Sequence, residues 1–239
     1  MAFALGLVEE GADVLDVGGE STRPGAATVP AALELARVLP VIEALRRHGL
    51  ALPISVDTRK ADVAACALRA GATLVNDVSA GTFDPRMFAT VAGLGAGIVL
   101  MHMRGEPATM QSAPQYDDVV AEVFSYLEGR AALAERDGVA RDRIFVDPGI
   151  GFGKSFPHNE ALLRALEALT SIGRGVWVGA SRKGFLGAIT GRPPGERLAA
   201  SLACAARAFE AGARAVRVHD VAATVDLLAV LERIGRPPT

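Results

Sequence analysis

Seven times along this chain a run of β-branched and apolar residues ends in polar or ionisable ones. Glu20, Ser21, Thr22 and Arg23 follow VLDV, Asp57 follows PISV, and Asn76 and Asp77 close TLVN; His102 and Arg104 follow GIVLM, and Asp147 follows RIFV. Ser181, Arg182 and Lys183 follow GVWVG, and His219 and Asp220 follow AVRV. Two carboxylates and an amide, Asp57, Asp147 and Asn76, suit a flat heterocycle rich in N–H groups, provided each buried polar atom finds a partner. Arg217, His219, Arg23 and Lys183 are cations or donors suited to phosphate. A phosphorylated heterocycle is the ligand this set predicts. An Asp or Asn just past a strand also commonly caps the next helix, and for Asp57 alone that reading stands beside the functional one.

The elements that must hold these residues read as repeated βα units, since short β-branched runs alternate with longer amphipathic ones. Strands are expected over 14–17, 53–56, 73–76, 97–101, 143–146, 175–179 and 215–218, and helices over 31–49, 60–71, 116–138, 159–171 and 195–212. Further helices open the chain near 1–11 and close it over 221–235, and the whole pattern, of which the stretches above are examples, reads as eight helices against seven strands. In a (β/α)8 barrel of the α/β class, polar groups at the C-terminal strand ends gather on one face, and eight strands are needed to close the sheet. The deficit falls at the N-terminus, so the expected fold is one (β/α)8 TIM-barrel domain over 1–239 whose first strand is not in this sequence. The upstream reading frame is then expected to encode the absent strand, with Met1 an internal methionine or a miscalled start.

Arg217 and His219 alternate along one strand and share a face. His48 reads as a solvated helix end, His158 as a first-turn surface residue, His102 as either core or site, and Glu9 and Glu10 as solvated. The glycines after Asp147, in PGIGFGK, permit close approach of backbone to a ligand but match no nucleotide-binding fingerprint. Of 239 residues half are apolar and 22% are charged, with net charge −2, which excludes the basic footprint of a nucleic-acid binder. Cys66 and Cys204 read as buried thiols in a reducing compartment. MAFALGLVEEGA lacks a basic leader and meets two glutamates within one short apolar run, so a cytoplasmic protein with no membrane partner is expected.

The stretches DVGGESTRPGA, SVDT, VNDVS, LMHMRGEPATMQ, DPGIGFGK, GASRKGFLG and RVHDV, in this order, resemble the dihydropteroate synthase family. The resemblance covers nearly the whole chain. It implies a TIM barrel that joins 6-hydroxymethyl-7,8-dihydropterin diphosphate to 4-aminobenzoate with Mg²⁺, in a homodimer. Asp57, Asn76, Met103, Asp147 and Lys183 match the family's pterin pocket, and Arg217 and His219, with Arg23, its diphosphate site. Thr22, Arg23 and Pro24 match a mobile loop of the family, and with Phe152 and Ser181 the surroundings of the aminobenzoate; Arg217, His219, Lys183 and Asp57 carry the catalysis. Family members usually begin with a strand ending in a motif like NVTPDSFSDGG, whose Asn binds the metal; no metal ligand is expected in this sequence. The diphosphate leaves first in this reading, and the pterin cation is then captured by the amine. A pterin-dependent methyltransferase domain is the alternative that SRKGFLG and RVHDV disfavour, and a non-catalytic pterin-binding paralogue is a second.

Overall fold

Alternation of inward and outward side chains along each strand explains how the chain curls. The computed structural model describes residues 1–23 and 25–235. Its strands are β1 (Leu15–Gly18), β2 (Ile54–Asp57), β3 (Leu74–Asp77), β4 (Gly97–Met101), β5 (Ile144–Asp147), β6 (Gly175–Val178) and β7 (Ala215–Val216). All pair in parallel and in chain order from β1 to β7. Each strand bonds its sequence neighbour, from Leu15 opposite Ile54 in the first pair to Val178 opposite Val216 in the last. Parallel neighbours need crossovers, and helices supply them.

Leu15, Ile54, Val56, Val75, Ile98, Leu100, Ile144, Val146, Val176 and Val178 join the large apolar cluster that the sheet shares with its helices. Leu74, Val99 and Trp177 form a second cluster, with Val14, Phe145 and Ala215 packed against it. Those six residues lie on or beside six different strands, and they meet only because the sheet curls with its right-handed twist. The predicted α/β class is therefore observed, as a curled parallel sheet of seven strands. Among the described residues it is not a closed barrel: β1 pairs only with β2, and β7 only with β6.

The helices are α1 (Ala2–Glu9), α2 (Ala31–Arg47), α3 (Ala61–Arg69), α4 (Met87–Gly93), α5 (Val119–Arg136), α6 (Phe156–Arg164), α7 (Leu166–Thr170), α8 (Gly184–Thr190), α9 (Leu198–Glu210) and α10 (Val221–Gly235). The single helix expected over 159–171 is divided at Ala165, where the backbone leaves helical geometry (φ −99°, ψ 14°). It also begins earlier, because Ser155 and His158 form a reciprocal capping box. His158 is thus a half-buried cap stacked edge-on against Tyr116, not a plain surface residue. His48 is the exposed residue that ends α2, as expected. Cys204 is buried but Cys66 only half so, and both are free thiols, which corrects the expectation of two buried ones.

Candidate active site

Continuing the same alternation to the strand ends places Asp16, Asp57, Asn76, Met101, Asp147 and Arg217 above the inner apolar cluster. Polar side chains replace apolar ones one layer up. The carboxamide Nδ2 of Asn76 donates to Asp16 Oδ2 at 3.1 Å, and Arg217 donates through Nε to the same oxygen at 2.6 Å. A second Arg217 nitrogen reaches Asp57 Oδ2 at 3.4 Å. Asp57 caps no helix: α3 begins after Lys60, with no side-chain cap. Burial, then the neighbouring charge of Asp16, raises the Asp57 carboxyl to about 7 against the pull of Arg217. Asp147 accepts from the Gly149 amide at 2.7 Å, yet burial raises it to about 6.

Above this layer opens a cavity of about 1380 Å³. Its lining includes Thr22, Arg23, Asp57, Phe152, Ser181, Lys183, Arg217 and His219, which chain positions 22 to 219 bring to one place. Lys183 Nζ lies 4.2 Å from the centre of the Phe152 ring, and burial lowers its ammonium to about 8 despite Asp147. Lys183 is aimed by Arg182, a non-glycine residue in the left-handed region at φ 58°. The Ser201 hydroxyl accepts from its amide at 3.0 Å, and Asp220 pairs with its guanidinium. Ser181 Oγ lies 3.0 Å from His219 Nδ1; burial and then Arg182 hold that imidazole below its ordinary range.

Other expected residues have supporting positions. His102 is buried beneath the loop after β5 and bonded to Lys154, and burial drives it to about 3, so it is neutral. Asp77 is fully buried and closes its own turn by accepting from Ser79 and Gly81. Arg104 lies over the Tyr116 ring and pairs with Glu122. Glu20 lines the cavity and pins the base of its loop, accepting from the Val29 amide at 2.9 Å and from Arg59 at 2.7 Å. Met103 is half-buried and outside the cavity lining, which instead contains Met110 and Gln111. Pro24 lies outside the described residues.

Four participants escaped the sequence reading. Asp16 sits inside the strand it was assigned to, Lys154 ends the glycine run PGIGFGK, and Glu34 and Arg37 lie within the helix expected over 31–49. Lys154 is 2% exposed, with its ammonium 3.1 Å from His102 O, 3.0 Å from Phe152 O and 2.9 Å from His102 Nδ1. Glu34 is fully buried and pairs with Lys60, and Arg37 donates to Gly19 O at 2.7 Å. A charged residue at an inward strand position, as in VLDV, was the one readable signal.

A family model described as pterin binding enzyme matches residues 1–219. The chain belongs to the dihydropteroate synthase family of pterin-binding enzymes. A dihydropteroate synthase of Synechocystis is 45% identical over 231 residues, which cover 96% of this chain and 80% of that protein. The structure of Xanthomonas albilineans dihydropteroate synthase with 4-aminobenzoic acid superimposes with a TM-score of 0.93 at 49% identity, covering 99% of this chain and 84% of that one. The same enzyme in complex with 7,8-dihydropteroate gives a TM-score of 0.89 at 45% identity, with coverage of 99% and 84%. As a member of the dihydropteroate synthase family, the chain carries its polar strand-end layer where a parallel α/β sheet places its active site.

Proposed function

We propose that this chain condenses 6-hydroxymethyl-7,8-dihydropterin diphosphate with 4-aminobenzoate, forming 7,8-dihydropteroate and releasing diphosphate. The observation that carries the reading is the strand-end layer of Asp57, Asn76 and Asp147, of which Asp57 reaches the cavity lined by the cations Lys183 and Arg217 and the imidazole of His219. The two structures of the Xanthomonas albilineans enzyme, one with 4-aminobenzoic acid and one with 7,8-dihydropteroate, support both substrates.

In this mechanism the acceptors bind the N–H groups of the dihydropterin and favour positive charge developing on its methylene. The C–O bond to the diphosphate breaks with both electrons leaving on oxygen, and Arg217, His219 and Arg23 stabilise that charge. The aminobenzoate nitrogen then attacks the methylene and gives up a proton. Thr22, Arg23, Phe152 and Ser181 surround that second ring and exclude water. Mg²⁺ is the proposed cofactor, and when bound it would supply further positive charge toward the leaving diphosphate. Among the described residues no group of three or more His, Cys, Asp or Glu could hold it. The chain's own charges toward the leaving group are the basic side chains of Arg23, Lys183 and Arg217 in the cavity lining.

We further propose that the seven strands correspond to the second through eighth of a single (β/α)8 domain, with an eighth strand between β1 and β7. The unpaired edges support this, as do Phe3, Val230 and Ile234, apolar residues exposed on α1 and α10. Exposed Ile189 and Leu198 near the outer helices support a homodimer. A cytoplasmic location fits the two free thiols, and no helix among the described residues is long and apolar enough to cross a membrane. The deciding experiment is dihydropteroate formation from both substrates with Mg²⁺, by this chain and by one extended with its upstream frame. Turnover by either supports the activity; pterin binding without turnover by both would overturn it.

A further inference from the structure

Within the strand-end layer Asp16 opens the stretch DVGGESTRPGA but has no ligand-reading role in the sequence, and it joins two other members of the layer, Asn76 and Arg217. Its side chain is 10% exposed. Oδ2 accepts from two donors on two other strands, Asn76 Nδ2 at 3.1 Å and Arg217 Nε at 2.6 Å. Oδ1 is buried without a hydrogen-bond partner. A carboxylate so placed is unusual, because a buried acceptor with an empty lone pair costs free energy unless the arrangement serves another purpose.

We propose that Asp16 is a positioning residue of the pterin site: it fixes which way the Asn76 carboxamide faces and holds the Arg217 guanidinium across the sheet opening. An ionised carboxylate only accepts, so the Asn76 group turned toward it must be the amide nitrogen. Oδ1 of Asn76 is then left for the ligand, and the pocket presents a fixed order of acceptors in Asp57, Asn76 and Asp147. Without Asp16 the amide could rotate by half a turn at little cost, and half of its orientations would oppose a ring N–H with an N–H. The Arg217 side chain is 47% exposed, so nothing but its carboxylate partners sets where its fork points.

Asp16 also faces Asp57, whose other charged neighbours are Arg217 beyond β7, Lys183 beyond β6, Asp77 on β3 and Glu34 on α2. Removing the negative charge of Asp16 and releasing Arg217 to Asp57 act in the same direction. Both favour the ionised form of Asp57 and lower its titration point. A purely structural role for Asp16 would leave that titration where it is.

This inference rests on the pterin reading for the identity of the ligand, and the test separates the two. Asp16→Asn and Asp16→Glu are compared with the unaltered chain by carbon-13 NMR titration of the Asp57 carboxyl, and by calorimetry with a pterin heterocycle and with inorganic diphosphate. In Asp16→Asn the Asp57 titration is expected to fall by about one pH unit, and pterin affinity to drop about tenfold, the size of one misdirected buried hydrogen bond. Asp16→Glu keeps the charge but displaces the acceptor, so it weakens pterin binding while leaving the Asp57 titration closer to that of the unaltered chain; it also serves if Asp16→Asn does not fold. An unmoved Asp57 titration together with pterin affinity within about twofold in a folded variant overturns the inference. Failure of the unaltered chain to bind pterin overturns the functional reading instead, and the titration result still decides the role of Asp16 toward Asp57.

Discussion

Arg217 Nε lies 2.6 Å from Asp16 Oδ2 across 201 residues of chain, and this contact ties the first strand to the end of the last. Arg217→Met therefore leaves Asp16 and Asp57 as two buried carboxylates with no cation between them. Loss of about 2 kcal/mol in urea unfolding is expected, and a decrease of about 100-fold or more in kcat/KM, since the same guanidinium would face the leaving diphosphate. Arg217→Lys recovers stability better than activity, because one ammonium cannot reproduce the two-pronged contact. Equal recovery of both would show that the fork geometry is irrelevant.

The layer's titrations make a signed prediction. Asp57, raised to about 7, and Asp147, raised to about 6, keep protons that the unfolded chain has released above about pH 4, so their contribution lowers stability as pH rises through this window. Lys154 acts oppositely: lowered to about 7 by burial, it has lost a proton that the unfolded chain keeps up to about pH 10, so its contribution raises stability as pH climbs above 7. Asp57→Asn should thus stabilise the unliganded chain by about 2 kcal/mol more near pH 8 than near pH 5, while activity is lost. Thermal unfolding at both pH values checks it, and an equal gain at each would assign the effect to packing.

Lys154 holds the loop after β5 from below. Lys154→Met keeps the volume but leaves the carbonyls of His102 and Phe152 without their donor, at an expected cost of about 2–4 kcal/mol. Because Phe152 lines the cavity, the KM for 4-aminobenzoate should rise more than that for the pterin diphosphate. Amide exchange confined to the loop would accompany it, whereas uniformly faster exchange would point to global loss of stability.

Gly149 combines a positive φ of 66° with a backbone that runs against the His102 carbonyl oxygen, where an added Cβ would collide. Gly149→Ala is expected to destabilise by about 3 kcal/mol or more, through strain and overlap together. Gly25 shares the positive φ but meets nothing, so its replacement by Ala costs only about 1 kcal/mol. Parallel denaturation curves of the two variants test the difference.

The visible part of the site was the part where a polar residue ends an apolar run. Asp57, Asn76, Asp147, Lys183, Arg217 and His219 stood out because each follows or closes a strand, and period-two alternation then told which way the last of them point. Asp16 was hidden because one carboxylate within VLDV is compatible with an ordinary strand, and only the curl of the sheet turns it toward Arg217. Glu34 was hidden for the complementary reason: a helical glutamate normally faces water, and Lys60, 26 positions away, buries it. All seven strands were legible, whereas α4 and α8 were not, each being 7 residues long and dependent on tertiary packing for its shape. The same dependence separates α6 from α7, since nothing in the local pattern marks Ala165 as a break.

Pairing of every strand with its neighbour in sequence also orders the birth of the protein on the ribosome. Each new strand finds its docking edge already made, so the sheet can grow from β1 onward with one helical crossover to close at a time. Asp16, Asp57, Asn76 and Asp147 are all laid down before Arg217 and His219 emerge. Until β7 emerges the nascent layer therefore lacks the guanidinium that bridges Asp16 and Asp57, and the arrival of the last strand supplies it.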